Sequence, residues 1–569
     1  MDDDLLSGRQ ALFGGRPEAA AAIFGAAAQR DPRDREARYW LASACMMLGD
    51  HERANQALEE ARTLHAVAEL MGAGQDMPRL RADPAHAIDI ASRLGGHGLM
   101  TVASVVWGMG VAGGSTDPHL LASYALSLQH QGRVEEAGEV FRIIAATFGS
   151  KSLRQCYVYT QLFRDDGERR HAEEARAWSD AYPAPPPQPH ANPPLAGRRL
   201  RVGFVALNFA KSQLRQFIAP ILEGLDPDTV EVILYPTEAA TETGWPSWIA
   251  VHPIGGLDDA AAAALIRRDG VDILNDCWGH TVGSRLGVFA HKPAPVQVAW
   301  INFFQTTGMK QMDYVLHADS DVPPDGAALF TEALWPVGPV FTPFRPQDGR
   351  LAPAATPARA GDGITFGSFN HPAKLSPQTI AAWAAILRGR PGSRLLLKYR
   401  YFIDPVFQRI MQARFAAHGV EPERLLFEGH TEGEAYFQAF QRVDLMLDAW
   451  PAPGSTTTLE ALSNGAPVLA MVGEKPNVGG TYARAILRAV GLADLVTSTP
   501  EDFVARGLEL TADLDRLDRL RAQVRPNFDQ SPFCDEAGFA RRLEQAYVQM
   551  FERWSETAHG RPLPMEGAA

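Results

Sequence analysis

Cysteine is scarce in this chain. Four residues, Cys45, Cys156, Cys277 and Cys534, are spread over 569 positions with no C-x-x-C pair. That spacing excludes a disulfide framework and predicts reduced, mostly buried thiols in a cytosolic protein. Long apolar runs are missing as well: none approaches the ~20 residues that a membrane-spanning helix needs. The N-terminus, MDDDLLSGRQ, lacks the basic and apolar regions of a signal peptide. A soluble, cytoplasmic protein is therefore expected. There is no basic excess, because the formal net charge is -13. A general nucleic-acid binder would need a basic face. The sixteen histidines show no H-E-x-x-H spacing, so no metal site is expected.

What is present describes an ordinary globular protein, with 46% hydrophobic and 21% charged residues. Its length is too great for one core, which predicts several domains. The first residues carry a repeat. Gly8, Ala20, Phe24, Ala27 and Pro32 fall at the spacing of a tetratricopeptide unit, and Leu41, Ala54, Leu58 and Ala61 occupy the same slots next. Tyr124, Ala137, Phe141 and Ile144 form a third unit, and residues 66–117 read as degenerate helical repeat. Each unit leaves an apolar face that only a neighbour can bury, so stacking into an α-solenoid follows, with a plain helical bundle as the alternative. Solenoids present concave surfaces to proteins, which predicts a recruiting role.

Residues 182–197 hold seven prolines and read as a stiff linker. Beyond it the pattern becomes strands alternating with helices: RLRVGFVAL, VEVILYP, VDILNDC and PVQVAWI, then GITFGSF, SRLLLKY, RLLFEGH, DLMLDAW and APVLAMV. Such alternation predicts parallel sheets. The expected layout is a tetratricopeptide-like α domain at 1–181, the linker 182–197, a Rossmann-like lobe at 198–345, a second linker at 346–362, a second Rossmann-like lobe at 363–555 and a tail at 556–569. Two such lobes in tandem place a cleft between the carboxyl ends of their sheets.

Two motif matches carry no chemistry. Gly108, Gly110 and Gly113 match G-x-G-x-x-G but lie in helical sequence without a βαβ unit. Asp319-Ser320-Asp321 resembles a D-x-D metal clasp but runs into Pro323 and Pro324. The segment Gly454-Ser455-Thr456-Thr457-Thr458-Leu459-Glu460, after the strand DLMLDAW, is more informative. Glycine and a run of hydroxyls at a strand-to-helix turn suit a diphosphate, and they equally suit an ordinary N-cap. A second segment, Ser368-Phe369-Asn370-His371-Pro372-Ala373-Lys374, follows the strand that opens the last lobe. A lysine there could neutralise a departing diphosphate, or simply be a solvated surface side chain.

Together these stretches resemble the protein O-GlcNAc transferase and SPINDLY family over residues 199–552. The resemblance rests on PAPVQVAW (293–300), Thr306-Thr307-Gly308 with Met312-Asp313-Tyr314, FNHPAKLSPQT, STTTLEALSNGAPVLA (455–470) and SPF (531–533). It implies a GT-B fold and a nucleotide-sugar glycosyltransferase. It further implies that Lys374 contacts the diphosphate, together with Ser455, Thr456 and Thr457, where serine replaces the family's histidine. Asn370 falls in the same phosphate-binding segment, and His371 replaces a glutamine near the phosphates. Glu460 takes the position that holds the ribose, Tyr436 the position that stacks on uracil, and Thr306 and Thr307 the loop that approaches the sugar. The family's first-lobe histidine is absent. Residues 208–216 offer Lys211 and Arg215 instead, leaving His280 and His371 as candidates for a general base.

The expected function is inverting transfer of a GlcNAc-like sugar from a UDP donor to a Ser or Thr of a protein recruited by the repeats. No cofactor is expected beyond the UDP-sugar substrate. Two alternatives stand beside this. Lys211 and Arg215 could pair with the carboxylate of a CMP-linked nonulosonic acid, with flagellin as acceptor. The chain could also be an inactive tetratricopeptide scaffold.

Overall fold

The computed structural model describes residues 3–13, 16–31, 34–48, 50, 53, 54, 56, 57, 77–182, 185, 186, 188–210, 213–238, 244–319, 324–361, 363–473 and 478–558. Two compact units divide the chain: Met1–Gln131 with Tyr401–Gln408, and Gly132–Arg400 with Arg409–Ala569.

The first unit is helical. It contains α1 (Asp3–Phe13), α2 (Pro17–Arg30), α3 (Arg35–Met47), α4 (Met77–Ala82), α5 (Pro84–Gly96), α6 (Met100–Ala112) and α7 (Pro118–His130), packed mainly on sequence neighbours as a solenoid requires. Phe24 is fully buried, and Gly8 makes room for it, since a Cβ at Gly8 would lie 2.5 Å from the Phe24 ring. Leu58, Ala61 and Pro32 lie outside the described residues. Gly108 and Gly110 sit on α6 and Gly113 caps it, so the G-x-G-x-x-G match is a helix-packing feature. A Cβ at Gly110 would come within 2.6 Å of Leu120.

The second unit begins with α8 (Val134–Phe148), α9 (Lys151–Thr160) and α10 (Gly167–Asp180) and continues into two sheets. The first sheet has seven strands: β1 (Leu200–Ala206), β2 (Val230–Pro236), β3 (Ala250–Val251), β4 (Ile273–Asp276), β5 (Val296–Ala299), β6 (Tyr314–His317) and β7 (Ala333–Pro336). Their order is β3-β2-β1-β4-β5-β6-β7, all parallel. The second has six: β8 (Thr365–Ser368), β9 (Arg394–Lys398), β10 (Leu425–Glu428), β11 (Leu445–Leu447), β12 (Val468–Met471) and β13 (Val496–Thr497). They run parallel in the order β10-β9-β8-β11-β12-β13.

In each sheet the strand order reverses beside the first strand, between β1 and β4 and again between β8 and β11. Loops leaving the carboxyl ends at such a switch point diverge and leave a crevice. The long C-terminal helix, Glu536–Ala558, crosses back to the first lobe. Phe539 stacks on Trp300 with ring centroids 5.8 Å apart, and the Tyr547 hydroxyl donates to Asn275 Oδ1 at 2.8 Å. Arg345 binds Glu536 through two nitrogens, Nε at 2.9 Å and Nη2 at 2.6 Å. Among the described residues, no helix is long and apolar enough to cross a membrane.

Candidate active site at the two switch points

The loops after β8 and β11 meet around one buried carboxylate. Asp448, 3% exposed, ends the strand sequence DLMLDAW, and its Oδ1 accepts from Gly454 N at 2.7 Å, Ala449 N at 2.8 Å and Asn370 Nδ2 at 3.1 Å. Asn370 Oδ1 in turn accepts from the Thr457 hydroxyl at 3.1 Å. Asp448 therefore folds the chain from Ala449 to Gly454 into a fixed turn and ties that turn to the β8 loop. Glycine is required at the apex, because a Cβ there would lie 2.6 Å from Thr458 Oγ1 and 2.7 Å from Thr457 Oγ1. Burial raises the pKa of Asp448, opposed by the Gly454 N–H and the neighbouring Lys374 charge.

The helix Thr456–Ser463 starts at this turn with Ser455 as its N-cap residue. The Ser455 hydroxyl caps nothing. Among the described residues it is buried without a hydrogen-bond partner, although buried hydroxyls normally have one. First-turn N–H groups have no acceptor one turn earlier, and the helix dipole adds positive potential. Lys374 stands opposite on a 3₁₀ turn, Pro372–Lys374, half-buried, with Nζ donating to Pro453 O at 2.6 Å. Desolvation lowers the Lys374 pKa while Asp448 resists that shift. Of the two sequence alternatives for Ser455, the ordinary N-cap is the one the geometry does not support. The arrangement is chemically suited to hold an anion.

His371 caps the turn that carries Lys374, its Nδ1 accepting from Ala373 N at 3.0 Å, with its ring edge against Tyr399. A neutral imidazole that accepts at Nδ1 carries its proton on Nε2. In that tautomer Nε2 donates and does not take up a proton, which argues against the expectation of a base. Glu460, 7% exposed, accepts from the Tyr436 hydroxyl at 2.6 Å and from Gln216 Nε2 of the first lobe at 3.4 Å. Burial raises the pKa of both Glu460 and Tyr436. The half-buried Tyr436 ring packs on Phe369, Phe437 and Phe440.

The first-lobe expectations fare differently. His280 is fully buried, with Nε2 2.9 Å from Thr307 O and its ring edge-on to Trp178, His171 and Phe303. Burial lowers its pKa to about 3. A base must reach the acceptor hydroxyl, and His280 has no open face, so the expectation of a catalytic His280 is corrected. Thr306 and Thr307 are also buried, at 1% and 0% exposure, and both hydroxyls donate to Glu332. Both hydroxyls are thus held by Glu332 within the first lobe. Arg215 lies over the Trp245 ring at 4.9 Å, and Lys211 lies outside the described residues. Asp319 Oδ1 accepts from Gly338 N at 2.7 Å, and Asp321 too lies outside the described residues.

The sequence did not single out Asp448, Gln216, Glu332 or Ile301. Ile301 follows β5 with φ 88, a conformation that costs a β-branched residue energy and concentrates at functional sites. His317, at the carboxyl end of β6, is 3% exposed, and neither ring nitrogen makes a well-formed hydrogen bond among the described residues. Burial lowers its pKa to about 4. Between the ordinary value and that one the unfolded chain binds a proton and the folded chain does not, so stability falls as the pH drops through this window. From about pH 7.5 to pH 5 the parent should lose about 2 kcal/mol that His317→Phe does not lose. Thermal melts of both proteins at the two pH values measure this; equal losses would refute it.

The sequence profile described as glycosyl transferase family 41 matches residues 169–341 and 355–543, and a tetratricopeptide-repeat profile matches 14–69. The rice protein named probable UDP-N-acetylglucosamine–peptide N-acetylglucosaminyltransferase SPINDLY (Oryza sativa subsp. japonica) is 34% identical over 380 residues, covering 64% of this chain and 40% of that protein. The Caenorhabditis elegans UDP-N-acetylglucosamine–peptide N-acetylglucosaminyltransferase is 23% identical over 497 residues, covering 64% of this chain and 43% of that one. This chain thus spans about two fifths of the length of these relatives. A solved mutant of the Thermobaculum terrenum O-GlcNAc transferase superposes with a TM-score of 0.74 at 25% identity, covering 98% of both chains. With tetratricopeptide-type helices followed by two parallel sheets in GT-B arrangement, the chain belongs to glycosyl transferase family 41.

Proposed function

We propose that this protein transfers a GlcNAc-like sugar from a UDP-linked donor to a serine or threonine hydroxyl of a protein held by the helical repeats. The observation that carries this reading is the cradle of Gly454, Ser455 and Lys374, an anion site with an unpartnered hydroxyl at a helix start. In the transfer, the bond from the anomeric carbon to the β-phosphate oxygen breaks and a bond to the acceptor oxygen forms on the opposite face, inverting the centre. Charge grows on the leaving diphosphate, where Lys374, the Ser455 hydroxyl and the N-terminus of the helix Thr456–Ser463 lie in wait. Preformed donors of this kind stabilise the transition state more than the neutral-bond ground state. His371 adds an Nε2–H donor. Glu460 would take the ribose hydroxyls by exchanging its bonds to Gln216 and Tyr436, and Tyr436 would lie beside the base. The acceptor proton leaves with the acceptor bond and ends on the departing phosphate or on solvent.

A CMP-linked carboxylated donor drew its support from Lys211 and Arg215. Arg215 lies over the Trp245 ring at 4.9 Å, which supports the diphosphate reading over the carboxylate one. The test is incubation of the purified protein with radiolabelled UDP-GlcNAc and an extract of host proteins. Label on protein, with release of UDP, is the expected result. UDP binding with no label and no UDP release would overturn it in favour of a scaffold.

A further inference from the structure

Three side chains outside the cradle converge on two consecutive threonines. Glu332, 5% exposed, accepts from Thr306 Oγ1 at 2.6 Å, from Thr307 N at 2.7 Å and from the Thr307 hydroxyl. From the other side His171 Nε2 lies 3.0 Å from Thr306 O and His280 Nε2 lies 2.9 Å from Thr307 O. The two imidazoles meet edge-on at 5.7 Å, and both pack on Phe303. His171 does not belong to either sheet lobe. It comes from α10, the last helix before the proline-rich segment, and is completely buried.

The same helix presses on the loop elsewhere. A Cβ at Gly308, whose φ is 73, would fall 2.3 Å from the backbone of Ala175. Gln305 Nε2 donates to Glu168 at 3.0 Å, and Arg176 Nη2 donates to Leu329 O at 2.7 Å. Midway along, the loop touches the second lobe, where the rings of Phe304 and Tyr482 lie 4.4 Å apart. Residues 301–308 therefore run from a helix behind the first lobe to the face of the second. Within them Ile301 keeps its strained φ, which persists only where the surroundings over-determine it.

We propose that His171 is a positioning residue for sugar transfer: with Glu332 and His280 it clamps the Thr306–Thr307 backbone and so holds loop 301–308 in place against the cleft. This rests on the sugar-transfer reading. The clamp makes α10 a working part of the transferase and gives the two buried threonines a purpose. The carbonyls of Thr306 and Thr307 would otherwise be buried acceptors, so the loop has little freedom to relax while the imidazoles remain.

His171→Phe keeps the ring packing on Phe303 and removes the Nε2–H that the clamp directs at Thr306 O, together with the Nδ1 contact to Val158 O at 3.1 Å, while His171→Gln returns one amide donor within reach of Thr306 O. In His171→Phe the Thr307, Gly308 and Met309 amides should exchange with deuterium about tenfold faster, with β1 and β4 unchanged. The kcat of sugar transfer should fall on the order of 100-fold, as expected for a misplaced loop, with KM for UDP-GlcNAc unchanged. His171→Gln should recover a large part of kcat. Unchanged exchange, or a parental kcat in His171→Phe, would overturn the proposal, as would a rise in KM alone. Exchange needs no activity, so a parent without transfer would defeat the sugar-transfer reading while the clamp is still decided by the amides.

Discussion

Replacing Lys374 with alanine should lower the rate of sugar transfer by roughly 100- to 1,000-fold, the size of a lost oxyanion donor at about 3–4 kcal/mol. Lys374 is half-buried, desolvated and held by Pro453 O at 2.6 Å. A cation fixed in place before the reaction needs no reorganisation as charge builds on the leaving group. Its removal acts a second time through Asp448, whose carboxylate loses the charge that favours its ionised form. A more protonated Asp448 accepts less well from Gly454 N, which loosens the turn. UDP affinity should therefore drop along with kcat. Lys374→Arg should rescue little, since a planar guanidinium does not fit a site shaped for a point charge. Initial rates at saturating donor, with a melt to confirm folding, measure the effect. A rate within about threefold of the parent would contradict the role given to Lys374.

Gly454→Ala should abolish nucleotide binding. The added methyl would sit 2.6 Å from Thr458 Oγ1, 2.7 Å from Thr457 Oγ1 and 3.1 Å from Asn370 Oδ1, so the turn must move. Movement breaks the chain of bonds from Asp448 through Asn370 to Thr457 that sets the helix start. Overpacking of this kind costs about 1–3 kcal/mol of stability. The larger consequence is functional. At UDP near 100 times its dissociation constant the parent should gain about 2.7 kcal/mol, seen as a higher melting temperature, and the variant should gain almost nothing. Ser455→Ala is the graded control: the turn stays and one hydroxyl goes, for a loss of about 1 kcal/mol. Equal stabilisation of the parent and Gly454→Ala would place the nucleotide elsewhere.

Much of this architecture is legible in the sequence, for physical reasons. VEVILYP is a strand over its whole length because β-branched and aromatic residues in an apolar run suit a buried parallel strand. The turn at Gly454 is legible because glycine and hydroxyls gather where a strand ends and a helix begins. β3 and β13 are two residues each, too short for their periodicity to stand out. Contacts distant in sequence are also illegible. Thr306 and Thr307 look like solvent-facing hydroxyls until Glu332 is brought beneath them, and nothing in FTEALWP marks that glutamate as their partner. Asp448 lies in plain view at the end of DLMLDAW, yet its importance depends on Gly454 N six residues later. His280 and His371 illustrate the limit of counting histidines. One is sealed among aromatics, and the other spends Nδ1 on a backbone N–H.

The central claim is that the switch point of the second lobe holds a nucleoside diphosphate. Calorimetric titration of the purified protein with UDP and, separately, with CMP tests it most directly. UDP should bind at one site per chain, and CMP should bind at least about tenfold more weakly, a difference of about 1.4 kcal/mol, because it lacks the second phosphate. Tighter binding of CMP than of UDP, or no heat from either, would contradict the account.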